Sequence, residues 1–451
     1  MKDLHEFIEY IKSNHPEEIR EFNDEIDADF EPTAMTFEFE KESNPILFFK
    51  KVKGSRFPII TNVFGTRKRV ALAIGTTLED LYPTLEKRLQ NLVKPKMVSS
   101  GPIKENIIKG KDVDLHKLPI FKHFEQDVGK YVTAGIFVAK DPDTGIRNLS
   151  LHRMQLDGKD KFRTSFHSRG HLWRIYQKGE RMGKPIEAAV VIGVNPCILL
   201  AAATTVGMGV DEYELAGSLM QQPVELVKCE TIDVEVPAYA EIVLEGEIPP
   251  YLGEADGPFG EYTGYASGRS TKNIFNVKAI TFRNNAIYQD ITPGNSSEHL
   301  ILSNVVREAH VTWRLKEMIP NLKDINWPKS GTLFSAYLSL SEPIADGEPN
   351  LAAMLLMGLD HYVKIAVVVD DDINVHDEQE VNWAIATRMQ PDRDINLIKN
   401  VFCNRLDPSA YEEGTTGKLI IDATKKKRNL STLSVPKYYQ EKASRLAKNK
   451  L

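Results

Sequence analysis

Tyr131-Val-Thr-Ala-Gly-Ile-Phe-Val-Ala-Lys140, Asp141-Pro-Asp-Thr-Gly145 and Arg147-Asn-Leu-Ser-Leu-His-Arg-Met-Gln-Leu156 read together as two strands joined by a turn. The flanks are rich in Val, Ile, Phe and Leu, and the Pro and Gly between them supply turn geometry. From about Ile120 to Asn285 the chain keeps this β character, with further strands predicted at Ile232–Val236, Glu241–Glu245, Ile274–Phe282 and Ala286–Ile291. Only two helices interrupt it, near Leu172–Lys178 and Asp211–Leu219. A run of strands crossed by few helices predicts a barrel or sandwich core.

On the N-terminal side, Leu4, Phe7, Ile8 and Ile11 follow helical spacing and predict an opening amphipathic helix. Strands are predicted at Ile46–Val52 and Ile59–Phe64. The Thr76-x-x-Glu79 pattern predicts a helix start, with Leu78, Leu81, Tyr82, Leu85, Leu89 and Leu92 on one face. On the C-terminal side, Ser297–Met318 predicts a long linker helix. After it, strands at Leu333–Leu340, Lys364–Val369 and Ile395–Val401 alternate with helices at Leu351–Leu359 and Glu378–Met389, the pattern of a small, mainly parallel α/β unit. The expected fold is therefore α/β (α+β). It divides into an N-terminal α/β unit at 1–115, a β-barrel-like core at 116–295, a linker helix at 296–321 and a C-terminal α/β domain at 322–451.

Composition bounds the function. With 42% hydrophobic and 27% charged residues the chain reads as globular, and a formal net charge of -6 argues against nucleic acid as partner. The basic run Lys425–Arg428 is short and reads as a solvated tail. Three cysteines without a CxxC pair suit a reducing compartment, and MKDLHEFIEY lacks the apolar core of a signal peptide. Ala188–Val210 carries no charge, but Asn195-Pro196 and its glycines fit a buried strand, a turn and a second buried segment better than a membrane span. A cytoplasmic protein is expected.

No GxSxG, HExxH, Walker loop or strand-borne GxGxxG is present. What remains is a scatter of polar residues in apolar surroundings: Asn148 and Arg153 on one strand, His171 and Glu212 at helix starts, and Asp256-Gly-Pro-Phe-Gly-Glu261 around a turn. Each has a structural alternative. Asn148 suits a strand end, His171 a helix start, Glu212 a helix dipole, and Arg153 with Asp256 an ion pair. Asp370-Asp-Asp372 reads as a solvated strand end. Residues five apart on a regular strand face opposite sides, so Asn148 and Arg153 meet one ligand only if the strand is irregular between them, or if the ligand lies across its edge.

Taken in order, these pieces resemble the UbiD family of prenylated-FMN decarboxylases. An asparagine is followed five residues later by an arginine, and Gly170-His171 opens the next helix. Glu212 precedes the final acid by 261 − 212 = 49 residues, Asp256-Gly-Pro-Phe-Gly-Glu261 is similar to the acidic loop, and Gly417-Lys418-Leu-Ile-Ile-Asp-Ala423 to a phosphate-contacting motif. The resemblance implies that Asn148, His171 and Glu212 bind Mn²⁺ or Mg²⁺, with K⁺ held nearby. It implies that Asn148, Leu149, Ser150, Leu151, His152, Arg153, Gly170, His171, Glu212 and Lys418 contact prenylated FMN. Arg153, Asp256 and Glu261 become the catalytic set, with Asp256 one methylene shorter than the usual glutamate. Ala203-Thr-Thr205 lacks a proline often found there.

The resemblance further implies non-oxidative decarboxylation of an aromatic, heteroaromatic or α,β-unsaturated carboxylic acid, with the coupled pair Glu261 and Asp256 managing the proton. Leu151, His152, Gly170 and Tyr262 are expected around the substrate, and His152 and Tyr262 favour a hydroxylated or heteroaromatic acid. Ser296-Ser-Glu-His299 is similar to the equivalent stretch of hydroxybenzoate and gallate decarboxylases. A flavin prenyltransferase is expected to supply the cofactor, and a homodimer or homohexamer to form. Two alternatives remain: reverse carboxylation, alone or within a carboxylase complex, and flavin binding without turnover. The intact Arg153, Asp256 and Glu261 set argues against the second.

Overall fold

The computed structural model describes residues 1–166, 170–411, 414–426 and 433–448. The opening helix spans Leu4–Asn14, with the Asp3 side chain accepting the Glu6 N–H at its start and Leu4, Phe7, Ile8 and Ile11 buried. Those four side chains share a core with Ile46 and Ile60 of a four-stranded sheet. That sheet is ordered Ile19–Ile26, Ile46–Val52, Ile59–Thr61, Tyr288–Gln289. Its last strand comes from far downstream and pairs in parallel with Ile59 and Ile60.

The helix expected from Thr76 begins instead at Leu81, because Thr77 rather than Thr76 bonds the Asp80 N–H and Thr76 pairs with Thr84. Leu78 and Leu92, expected on its buried face, are exposed. A separate helix, Arg67–Ile74, precedes it with Thr66 as its N-cap.

The central unit is a nine-stranded antiparallel sheet. Its path runs Tyr131–Val132, Met154–Leu156, Lys161–Thr164, Asn273–Phe282, Ile242–Ile248, Ile186–Ile192, Ile136–Lys140, Arg147–Leu151, and Asn106–Lys109 joins it beside Asn273–Phe282. Asn106–Lys109 thus pairs across the boundary expected at residue 115. The two ends of this path are joined through the chain, since Val132 precedes Ile136 and Leu151 precedes Met154 by a few residues. A residue spans at most roughly 3.6 Å, so the ends must lie close together and the sheet curls into an almost closed barrel. Phe137, Phe162 and Phe275 fill its interior, the Phe137 and Phe275 rings 5.3 Å apart. Burying each such ring contributes about 2–3 kcal/mol.

Ala188–Val210 resolves into the strand Ile186–Ile192 and a buried helix, Pro196–Ala203, started by Asn195 accepting the Cys197 N–H at 2.8 Å. Among the described residues no helix is long and apolar enough to cross a membrane.

Ser297–Met318 forms the linker helix as predicted. Beyond it a five-stranded sheet runs Leu322–Asn326, Ser335–Leu340, Ile365–Asp370, Thr415–Asp422, Ile395–Phe402; the middle three are parallel and both edges antiparallel. The strand end at Asp370–Asp372 is ion-paired rather than simply solvated, since Arg388 binds Asp370 and Asp372, and Lys425 binds Asp372. Residues 427 and 428 of the basic run lie outside the described residues. The tail carries a further helix, Lys437–Lys448, that the sequence reading left unassigned.

Candidate active site

Arg147–Leu151 ends the path of the curled sheet and, among the described residues, pairs only with Ile136–Lys140. Regular strand stops at Leu151, and His152 and Arg153 sit outside it before Met154–Leu156 takes up other partners. This break is the irregularity that the spacing of Asn148 and Arg153 required. Because Arg147–Leu151 is an edge, alternate backbone groups point away from the sheet. Leu149 gives its outward N–H to Glu212 Oε2 at 2.8 Å, and the Leu151 amide lies on the same side by the period of two.

At one end of this strand three expected ligands converge. Glu212 is the first residue of the helix Glu212–Met220 and is buried. Its Oε1 accepts the Asn148 amide N–H at 2.9 Å and lies 3.8 Å from His171 Nδ1. His171 opens the helix His171–Met182 directly after Gly170. Ser150 Oγ donates to Asn148 Oδ1 at 3.2 Å, and His152 Nε2 lies 3.0 Å from Ser150 Oγ. Among the described residues no Lys or Arg nitrogen lies within ion-pairing distance of Glu212. A buried carboxylate, an amide that can turn its oxygen inward and one imidazole form an oxygen-rich donor set. Such a set fits Mn²⁺ or Mg²⁺ better than zinc. No cluster of three or more His, Cys, Asp and Glu side chains is arranged for a metal among the described residues; this candidate set counts only two such side chains.

At the other end, past the break, Arg153 is shared by two carboxylates. Its Nε donates to Asp256 Oδ2 at 2.7 Å and its Nη1 to Glu261. The shorter aspartate therefore reaches the guanidinium. Nη2 donates to the Arg269 carbonyl, and the guanidinium lies 5.2 Å from the centre of the Phe259 ring. The acid turn bends at Gly257, whose φ of +86° favours glycine, and pairs Phe259–Gly260 with Ala266–Ser267. Sequence reasoning missed the groups that anchor it. Ser270 Oγ donates to Asp256, the Gly257 N–H donates to Tyr131 Oη at 2.8 Å, and the Gly260 N–H donates to the buried Asp127 at 2.9 Å. Single Ser, Tyr and Asp residues on unrelated loops carry no spacing signal. Burial pushes the Glu261 carboxyl above its ordinary value, although the Arg153 guanidinium pulls it down. Burial disfavors the Arg153 charge, but the two carboxylates outweigh it and hold its pKa above the usual.

Lys418, expected at the flavin phosphate, lies in the C-terminal sheet. It is buried there, and its ammonium donates to the carbonyls of Val363 at 2.7 Å, Met357 at 3.4 Å and His361 at 3.4 Å. An ammonium has three N–H groups, and all three are taken up near the C-terminal end of the helix Glu348–Leu359, where positive charge is favoured. In this structure the lysine caps that helix from inside its own domain.

Three domains of 3-octaprenyl-4-hydroxybenzoate carboxy-lyase match in order: the N-terminal domain over residues 13–89, the Rift-related domain over 96–296 and the C-terminal domain over 301–423. Anhydromevalonate phosphate decarboxylase of Methanothermobacter thermautotrophicus is 32% identical over 409 residues, covering 90% of this chain and 94% of that one. The UbiD-class enzyme HmfF from Pelotomaculum thermopropionicum, solved with FMN, is 38% identical with a TM-score of 0.92, covering 98% of this chain and 99% of that one. An evolved dimeric form of HmfF, solved with prFMN, is 37% identical with a TM-score of 0.88, covering 98% of each chain.

Proposed function

The chain belongs to the UbiD family of carboxy-lyases, and from that premise we propose that it decarboxylates an aromatic, heteroaromatic or α,β-unsaturated acid with prenylated FMN and a divalent metal. One observation carries the reading: a guanidinium held between two carboxylates lies five residues along the chain from a buried carboxylate, amide and imidazole cluster that fits a hard cation. Asn148, His171 and Glu212 would hold Mn²⁺, which would in turn hold the flavin phosphate. The outward N–H of Leu149 is already held by Glu212, which leaves the outward amide at Leu151 on the same edge to suit the polar rim of a flavin ring.

When bound, prenylated FMN supplies the electron sink that lets CO₂ leave; the protein's task is placement and protonation. Arg153 orients the substrate carboxylate. Asp256 holds the guanidinium through Nε and is itself held by Ser270, so Arg153 is aimed before substrate arrives. Glu261, its pKa raised by burial, keeps a proton for the carbon from which CO₂ departs. The buried Tyr262 hydroxyl next in sequence has no hydrogen-bond partner among the described residues, which favours an acid carrying a hydroxyl or a ring heteroatom.

Co-expression tests the whole reading. Made with a flavin prenyltransferase, the protein should hold a flavin heavier by one dimethylallyl-derived unit. It should also exchange labelled CO₂ into some member of a panel of hydroxybenzoic, heteroaromatic and cinnamic acids. Plain FMN with no exchange on any acid would establish flavin binding without turnover.

A further inference from the structure

Both sequence segments that bring an oxygen ligand to the proposed metal carry a charged residue immediately before it. Arg147 precedes Asn148, and Asp211 precedes Glu212. These neighbours meet: Arg147 Nε and Nη2 both donate to Asp211 Oδ2, at 2.8 and 2.6 Å. The remaining Arg147 nitrogen, Nη1, donates to Glu235 Oε2 at 2.9 Å, and Lys140 Nζ to Glu235 Oε1 at 2.7 Å. Asp211 has a second task, since its Oδ1 accepts the Tyr213 N–H at 3.0 Å and caps the helix that Glu212 begins. Burial pushes Glu235 up, but its bonds to Lys140 and Arg147 outweigh this and hold it below the usual carboxylate range. Arg147, Asp211, Glu235 and Lys140 line one side of a surface cavity of about 420 Å³, whose wall also includes Gly209 and Glu214.

Geometry follows from these contacts. On an edge strand Arg147 and Asn148 point to opposite faces, so the guanidinium works from outside while the amide faces Glu212. One aspartate carboxylate simultaneously starts the Glu212 helix and receives the guanidinium from the Asn148 strand. The separation of Asn148 and Glu212 is therefore fixed by a fork-shaped contact one residue away from each. A lysine cannot reproduce it, because an ammonium lacks the planar fork that serves Asp211 and Glu235 together.

We propose that Arg147 and Asp211 are positioning residues for the divalent-metal site, setting the Asn148–Glu212 distance from outside the ligand shell. The proposal rests on the metal reading above and deepens it. Outer-shell partners of metal ligands typically change affinity by roughly 10–100-fold when removed.

The test is direct titration of flavin-free and metal-free protein with Mn²⁺, followed by calorimetry or the manganese EPR signal, without any turnover. R147Q and D211N should each weaken Mn²⁺ by about 10–100-fold, and R147K should stay well short of wild type. D211N keeps the side-chain oxygen that caps the helix, so its effect reads the lost ion pair and not a lost cap; its amide N–H₂ then faces the guanidinium and should lower the metal-free melting temperature, so Mn²⁺ is titrated well below that temperature. If R147Q does not fold, D211N alone decides. Wild-type Mn²⁺ affinity in D211N would overturn the proposal. H171A is the separate control for the underlying reading: unchanged Mn²⁺ binding there removes the metal site itself. Weak binding in H171A beside unchanged binding in D211N removes only the positioning role.

Discussion

Glu212 is buried and Glu261 half-buried, and both carboxylates are served by the same short stretch of chain, yet their surroundings differ in kind. Glu261 faces a guanidinium that it shares with Asp256. Glu212 receives N–H groups from Asn148 and Leu149 and approaches an imidazole, at the positive end of a short helix, with no ammonium or guanidinium paired to it among the described residues. A buried negative charge is unfavourable by several kcal/mol unless a cation or a proton matches it. Glu261 has both remedies at hand and can move between them, which suits a group that gives and takes protons. Glu212 has two N–H donors, a nearby imidazole and the positive end of its helix but no paired ammonium or guanidinium among the described residues, which suits a group that would hold a divalent ion. Under the proposed function, two identical side chains take different chemistry from what stands within 4 Å of each.

The sharpest way to break this contrast is Glu261→Gln. The amide keeps the size and the contact with Arg153 but holds no transferable acid proton. Turnover should fall by roughly 10²–10⁴-fold, while flavin and metal contents stay at wild-type levels. Undiminished product formation would assign the proton to another group.

His171→Ala probes the other carboxylate. It should lower Mn²⁺ and flavin occupancy together, metal affinity by at least about 10-fold, since even outer-shell losses reach that size. Metal analysis and the flavin absorbance of the purified variant read both, and full occupancy of the two would contradict the assignment.

The smallest effect sharpens the comparison through pH. In the proposed role Glu261 acts in its protonated form, and burial raises its pKa above the ordinary 4.5. Activity limited by this group should be full below that raised pKa and fall as pH rises through it. The limb should disappear from whatever residual rate Glu261→Gln retains. A wild-type kcat that climbs across the same range would make Glu261 a base.

How much of this was legible in the sequence depends on what each residue's signal was made of. The opening helix, the linker helix and the strand carrying Asn148 announce themselves through long apolar patterns, and they formed at or near the expected residues. The strand Ile19–Ile26 went unread because only its two end residues are buried and the six between them are not, so no alternation marks it. The break at His152–Arg153 was predictable because parity alone forbids two residues five apart from sharing a face. The carbonyls around Lys418 were not legible, because a motif conveys residue type and not which oxygen the ammonium meets. Arg147 was the near miss. The reasoning that flagged Arg153, an arginine within an apolar strand needing a partner, applies equally six residues earlier, but the partner Asp211 lies 64 residues away and only the fold reveals it.

The strand Tyr288–Gln289 has a consequence for the birth of the molecule. It covers the edge of the N-terminal sheet beside Ile59–Thr61, and it follows Thr61 by 288 − 61 = 227 residues. A ribosome adds roughly 5–20 residues per second, so that edge stands open for about 10–45 seconds of synthesis while the whole barrel emerges. An uncovered strand edge is a template for pairing with any extended chain nearby. The N-terminal unit is the first made and among the last completed, so the most hazardous moment for this protein comes before its active site exists.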